Sequence, residues 1–149
     1  MGRAAELAKS RLADEHTRVR ALRDKLERGI LARIPNCEVN GDPALRVPNT
    51  CNIGIHYIEG EALLLALDKH GICASTGSAC ASGSLQPSHV LRAMGVPFTS
   101  IHGSLRLSLS TYTTEAEIDY VLDTLPGIVG NLRELSPFHS MAEVQAFGS

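Results

Sequence analysis

Leu105-Arg106-Leu107-Ser108-Leu109-Ser110 alternates apolar and polar residues without a break. In an extended chain successive side chains point to opposite faces, so three leucines share one face and Arg106, Ser108 and Ser110 share the other. This is a strand with one face toward a core. Downstream, Thr114 and Glu117 form a capping box that opens a helix. Ile118, Val121, Leu122, Leu125, Ile128, Val129 and Leu132 give it an amphipathic stripe to about Leu135, and Pro126 is expected to kink it. Pro137 follows, and residues 139–149 read as an irregular tail without periodicity.

Upstream, Val96 to Gly103 reads as a connection. Ser88 to Met94 reads as a short helix, with Pro87 before it and Gly95 as its stop. Ile72-Cys73-Ala74 starts a strand. Ile58 to His70 is a helix that is apolar nearly all round, so it needs neighbours on several sides, and Gly71 is its left-handed stop. Thr50 to His56 and Cys37 to Asn40 are strands. Residues 3–34 carry a long helical pattern through Leu12, Val19, Leu22, Leu26, Ile30 and Ile34, ended by Pro35. Its charge run, from Arg18 through Arg23 to Arg28, reads as a solvated face. Strands joined partly by short gaps and partly by helices predict an α+β fold, a small mixed or antiparallel sheet packed against helices.

The chain of 149 residues suits one domain, and a net charge of −2 argues against a dedicated nucleic-acid binder. No apolar run is long enough to span a membrane and no signal-peptide pattern opens the chain, so a cytoplasmic location is expected. The four cysteines, at 37, 51, 73 and 80, show no metal-like or redox spacing and read as free thiols. Cys37, Cys51 and Cys73 are expected to pack in or beside strands. No metal site is assigned, since the histidines lack a ligand arrangement.

Cys80 differs. It lies in Ala74-Ser75-Thr76-Gly77-Ser78-Ala79-Cys80-Ala81-Ser82-Gly83-Ser84, where no side chain is larger than threonine or cysteine. Such a stretch has almost no apolar surface to bury and reads as a mobile loop carrying an accessible, ionisable thiol. A plain Ser/Gly linker is the competing reading. It is not a P-loop, because no Lys-Ser/Thr follows in place.

Extended through Leu85-Gln86-Pro87-Ser88-His89-Val90-Leu91-Arg92-Ala93-Met94-Gly95, this stretch resembles the persulfide-loop signature of cysteine desulfurases of the nitrogen-fixation type. Ile58-Glu59-Gly60-Glu61-Ala62-Leu63-Leu64, His102 to Leu109, Thr113 to Tyr120 and Leu132 to Pro137 agree, in order, over about residues 3–138. The resemblance implies the small C-terminal domain of a fold-type-I aminotransferase, over residues 1–138 with a persulfide loop at 74–86. It implies pyridoxal phosphate (PLP) chemistry that converts L-cysteine to L-alanine and leaves the sulfur on Cys80. It implies that Arg106 clamps the substrate carboxylate, for which a planar guanidinium is suited, and that His102 has a minor role. An iron–sulfur scaffold protein as sulfur acceptor and a homodimer in the full-length enzyme are implied in the same way.

The family's aldimine lysine sits in a His-Lys motif of the large PLP domain, whereas this chain has only Lys9, Lys25 and Lys69, each in a predicted helix without that context. The large domain is therefore expected to be missing, no cofactor is expected to bind this chain alone, and the chain is expected to be inactive by itself. A stand-alone persulfide carrier or interaction module is the alternative function.

Overall fold

The computed structural model describes residues 1–76 and 88–136. Three strands, β1 (Cys37–Val39), β2 (Thr50–Ile55) and β3 (Ser104–Ser108), form one antiparallel sheet in the order β1-β2-β3. The register pairs Glu38 with Gly54, Ile53 with Val39 and Leu105, and Asn52 with Arg106. Cys51, Ile53 and Ile55 of β2 and Leu105 and Leu107 of β3 fall on one face, all buried. The expected α+β class holds, and the sheet is wholly antiparallel among the described residues.

Helices cover that apolar face. The helix α1 (Gly2–Asp14) runs through a five-residue π-helical segment (Glu15–Val19) into α2 (Arg20–Arg33). Just before the widened turn closes, Thr17 Oγ1 donates back to the Ala13 carbonyl at 2.7 Å, the kind of side-chain intrusion that disturbs an i→i−4 ladder. The long helix expected over 3–34 is thus present but modified in its middle. Its burial begins only at Val19; α1 buries nothing, and Leu12, expected in the apolar stripe, is 48% exposed. From Val19 on, Leu26, Ile30 and Ile34 pack with Ile118, Leu122, Leu125 and Val129 of the long helix α6 (Glu115–Leu135). Polar contacts hold the stretch before Val19. Arg11 lies 4.9 Å over the Tyr112 ring and donates to Thr111, and Arg18 donates to the Thr111 and Thr113 carbonyls.

The capping box of α6 forms as read: Glu117 N–H donates to Thr114 Oγ1, and Thr114 N–H donates to Glu117. The helix continues through Pro126 to Leu135. The helix α3 (Gly60–Asp68) is shorter than the Ile58–His70 reading and ends before Gly71 at φ +70°, a left-handed position that glycine adopts without steric cost. It is also less enclosed than its leucines imply. Leu63 and Leu67 are buried but Leu65 is 68% exposed, because among the described elements α6 is the main neighbour of this helix and covers one side of it. The short helix α4 (His89–Ala93) lies where expected, whereas α5 (Phe98–Ile101) occupies a stretch read as a connection. Four residues are too few to carry a periodic signal.

Two more readings need correction. Ile72-Cys73-Ala74 does not form a strand; the pairing there is a single bridge at Ser75, and Cys73 is exposed rather than packed. The charge run on α2 is not all solvated. Arg23 is buried with Nε 2.8 Å from Asp24, off the hydrogen-bond axis. Glu27 accepts a bidentate pair from Arg46 at 2.5 and 2.7 Å. That pair, both side chains largely buried, ties the 41–48 loop to α2.

Removing one partner of a mostly buried pair strands the other charge. Arg46→Ala is expected to lower the urea midpoint by the equivalent of about 3 kcal/mol with an unchanged slope. A loss below about 0.5 kcal/mol would show that the pair is solvated and does not anchor the loop.

Candidate functional site

The other face of the sheet is polar because the alternation that buries the leucines also aligns Glu38, Asn40, Asn52, Ser104 and Arg106. At its centre Asn52 Oδ1 accepts from Asn40 Nδ2 and from Ser104 Oγ, each at 2.9 Å. Asn40 and Ser104 are buried, so this triangle satisfies groups that would otherwise be costly to enclose. At the β1 edge Ser100 of α5 donates to Glu38 Oε1 at 2.8 Å, and His56 Nε2 lies 3.5 Å from the same oxygen. His56 Nδ1 is 2.9 Å from Thr99 Oγ1. These contacts seat α5 over the β1 end of the polar face.

Arg106 lies at the opposite edge, half-buried. Its N–H donates to the Ser75 carbonyl at 2.6 Å, its carbonyl accepts from Ser75 N–H at 3.1 Å, and its Nη2 is 3.4 Å from Ser75 Oγ. Among the described residues no carboxylate reaches its guanidinium. A purely structural arginine would be held by an acidic residue, and Arg106 has none among the described residues. Five of the ten other arginines have one, among them Arg18 with Asp14, Arg33 with Asp123 and Arg46 with Glu27.

His102 sits apart from that pairing. Its ring meets Phe98 edge-on at 5.1 Å, while its carbonyl accepts from Gly60 N–H at 2.9 Å. A Cβ on Gly60 would come within 2.6 Å of Thr76 Cγ2 and 2.7 Å of the His102 carbonyl, and one on Gly103 within 2.0 Å of the Ile55 carbonyl. The start of α3 lies against the backbone at the end of α5 and against the Thr76 side chain, an approach that glycine at position 60 permits. His102 therefore contributes packing and a backbone acceptor, and no described contact joins its imidazole to Arg106.

Of the sequence-level site residues, Cys80 lies outside the described residues, as does most of the 74–86 loop. Its root is described, and it is not loose: Ala74, Ser75 and Thr76 are half-buried, with Ser75 locked to Arg106. Sequence reasoning missed Ser75, Asn40, Asn52 and Ser104. The signal for Asn52 is its place between Cys51 and Ile53, a polar residue on the off-beat of an apolar strand. No cluster of three or more potential metal ligands is found among the described residues, and none of their helices is long and apolar enough to cross a membrane.

The family model for class-V aminotransferases matches residues 1–121. The chain belongs to the class-V aminotransferases. It is 64% identical over 138 residues to cysteine desulfurase 2 of Trichormus variabilis, covering 93% of this chain and 34% of that protein. It is 59% identical to the cysteine desulfurase NifS of Azotobacter vinelandii, over 94% of this chain and 35% of the other. Among solved structures, a NifS-like protein aligns with a TM-score of 0.74 at 31% identity, and one from Rickettsia africae with 0.73 at 29%. The two cover 87% of this chain and about a third of theirs. The chain thus spans about a third of the length of the curated relatives it matches.

Class-V aminotransferases use PLP, so the chain's lysines bear on how that group could be held. Lys25 is paired with Glu115 at 2.8 Å and Asp119 at 2.6 Å, and these partners hold its ammonium above its ordinary pKa. Lys9 is exposed on α1, and Lys69 is exposed just past α3. None stands on the polar face beside Arg106, so the residues present do not fit a resident aldimine.

The thiols differ sharply. Burial pushes Cys51 up to about 12, with Glu27 nearby adding to the effect, and burial also pushes Cys37 up. The thiolate is the reactive form. Limiting iodoacetamide at pH 8, read by mass mapping, is therefore expected to label exposed Cys73 well before Cys37, and Cys51 only after unfolding. Labelling of Cys51 at the rate of Cys73 would refute the burial argument.

Proposed function

We propose that this chain is the small, C-terminal domain of a cysteine desulfurase, over residues 1–138, with Arg106 binding the carboxylate of L-cysteine and Cys80 receiving its sulfur. The observation that supports the reading is Arg106 itself, a half-buried guanidinium on a polar sheet face with no carboxylate partner among the described residues. A guanidinium fork gives a carboxylate two parallel hydrogen bonds. A carrier that only stores sulfur has no use for such a clamp, which favours the desulfurase reading over the carrier.

The net change balances simply. L-cysteine and the Cys80 thiol yield L-alanine and a Cys80 persulfide: one carbon–sulfur bond breaks, one sulfur–sulfur bond forms, and the thiol proton accounts for the hydrogen gained at carbon. PLP, held by a large domain outside this chain, supplies the electron sink for bond cleavage. The backbone pairing at Ser75 fixes where the segment carrying Cys80 leaves the sheet, two residues from the first of the flanking glycines. An iron–sulfur scaffold protein as acceptor, a homodimeric full-length assembly in the cytoplasm and a minor part for His102 complete the reading.

The test combines the purified chain with a desulfurase large domain, PLP and L-cysteine. Alanine formation is expected only in the mixture, with the persulfide mapped to Cys80 and lost in Cys80→Ser. Arg106→Ala is expected to raise KM for L-cysteine about 10- to 100-fold, the range for losing hydrogen bonds to a charged group. Persulfide on another cysteine, or an unchanged KM, would overturn the assignment.

A further inference from the structure

Beside Arg106, on the central strand, the polar face holds a second donor. The N–H and carbonyl of Arg106 are both committed to Ser75. In an antiparallel ladder, residues facing each other alternate between pairs that exchange hydrogen bonds and pairs that do not, and in the latter the side chains stand closer. Arg106 faces Asn52 in the β2–β3 register. With its backbone groups turned to the other edge, it forms a non-hydrogen-bonded pair with Asn52, and the two side chains rise side by side from one face, with Cβ atoms about 4.5–5.5 Å apart.

The Asn52 amide has a defined orientation. Its Oδ1 accepts from Asn40 Nδ2 and Ser104 Oγ, both at 2.9 Å and both from buried residues. That leaves the NH2 end, with two donors, directed away from the triangle. Among the described residues, nothing accepts from it. Asn52 is half-buried, so the amide is held rather than freely rotating.

We propose that Asn52 is a substrate-contacting residue whose side-chain NH2 donates to the same amino-acid α-carboxylate that Arg106 pairs. The proposal rests on the reading of Arg106 as the carboxylate clamp. A carboxylate has about four lone-pair sites, and Arg106 with Asn52 offers donors from two adjacent strands. Asn40 and Ser104 act through Asn52, as positioning residues that keep its oxygen inward. One donor from each strand fixes the orientation of the carboxylate as well as its position, which a lone guanidinium on a flexible stem does less well.

The test uses the full chain assembled with a desulfurase large domain and PLP. In the unsubstituted chain, NMR signals of the Asn52 side-chain NH2 and of Arg106 Nε–H are followed while L-alanine is added. Both are expected to shift and to saturate with one dissociation constant. Asn52→Ala is expected to raise KM for L-cysteine about tenfold, the loss of one hydrogen bond to a charged group, with kcat changed less than threefold. Asn52→Asp keeps the inward acceptor for Asn40 and Ser104 but sets a carboxylate beside Arg106, so it is expected to raise KM more than Asn52→Ala does, by repelling the substrate carboxylate and competing for the guanidinium. An Arg106 signal that titrates while the Asn52 NH2 stays still, or a KM within twofold of the parent in both variants, overturns the proposal and leaves the clamp reading standing. If Arg106→Ala also leaves KM unchanged and neither signal moves, both readings fall.

Discussion

The pairing of β3 on both of its edges is the constraint on which the rest of the molecule depends. β2 pairs along one edge from Thr50 opposite Ser108 to Gly54 opposite Ser104, and Ser75 takes the other edge at Arg106. Side chains alternate with a period of two, so a one-residue slip would exchange every residue between the faces. Leu105 and Leu107, 0% and 5% exposed, would go to the polar face and Arg106 into the core. Each fully buried leucine is worth about 1.5–3 kcal/mol relative to exposure. The core therefore enforces the register, and the register places Arg106 outward beside Asn52.

The same pairing carries the site's organisation to its neighbours. Ser75 is fixed by its backbone, so the chain enters the cysteine-bearing segment from a set position. Thr76 rests against Gly60, and Gly60 N–H is bonded to the His102 carbonyl, so the entry to that segment, the start of α3 and the end of α5 are joined by direct contacts. On the β1 side Glu38 serves Ser100 and His56 together and seats α5. Packing and hydrogen bonding thus serve different ends: apolar burial sets which face is which, and a small number of satisfied polar groups settle what stands where on the open face.

The chain's similarity to cysteine desulfurases covers nearly all of it and only about a third of each relative. Its own residues agree with that division. Arg106, which we propose as the carboxylate clamp, and the small-residue segment are present, while the three lysines are occupied, as Lys25 is by Glu115 and Asp119, or stand in solvent. Carboxylate binding and sulfur acceptance are what we propose for this chain, and none of its lysines stands beside Arg106 to attach a cofactor.

The sequence by itself determined the elements with strong local signals. The alternation of 105–110, the Thr114 and Glu117 box, the stripe of α6 and the glycine stop at 71 all follow from side-chain period or backbone sterics within a few residues. Arg106 and Cys80 could be singled out, because a guanidinium on a strand's polar face and a thiol among small residues are local facts, and the family resemblance gave them roles. Only the tertiary structure decided the rest. Cys73 is exposed because the residues after α3 make one bridge instead of a strand; Arg23 is buried because the 41–48 loop, tied down by Arg46, folds back on α2. The company of Arg106 was hidden for the same reason. Ser75 lies 31 residues away and Asn52 lies 54, and no local period reports a hydrogen bond or a register closed across such distances.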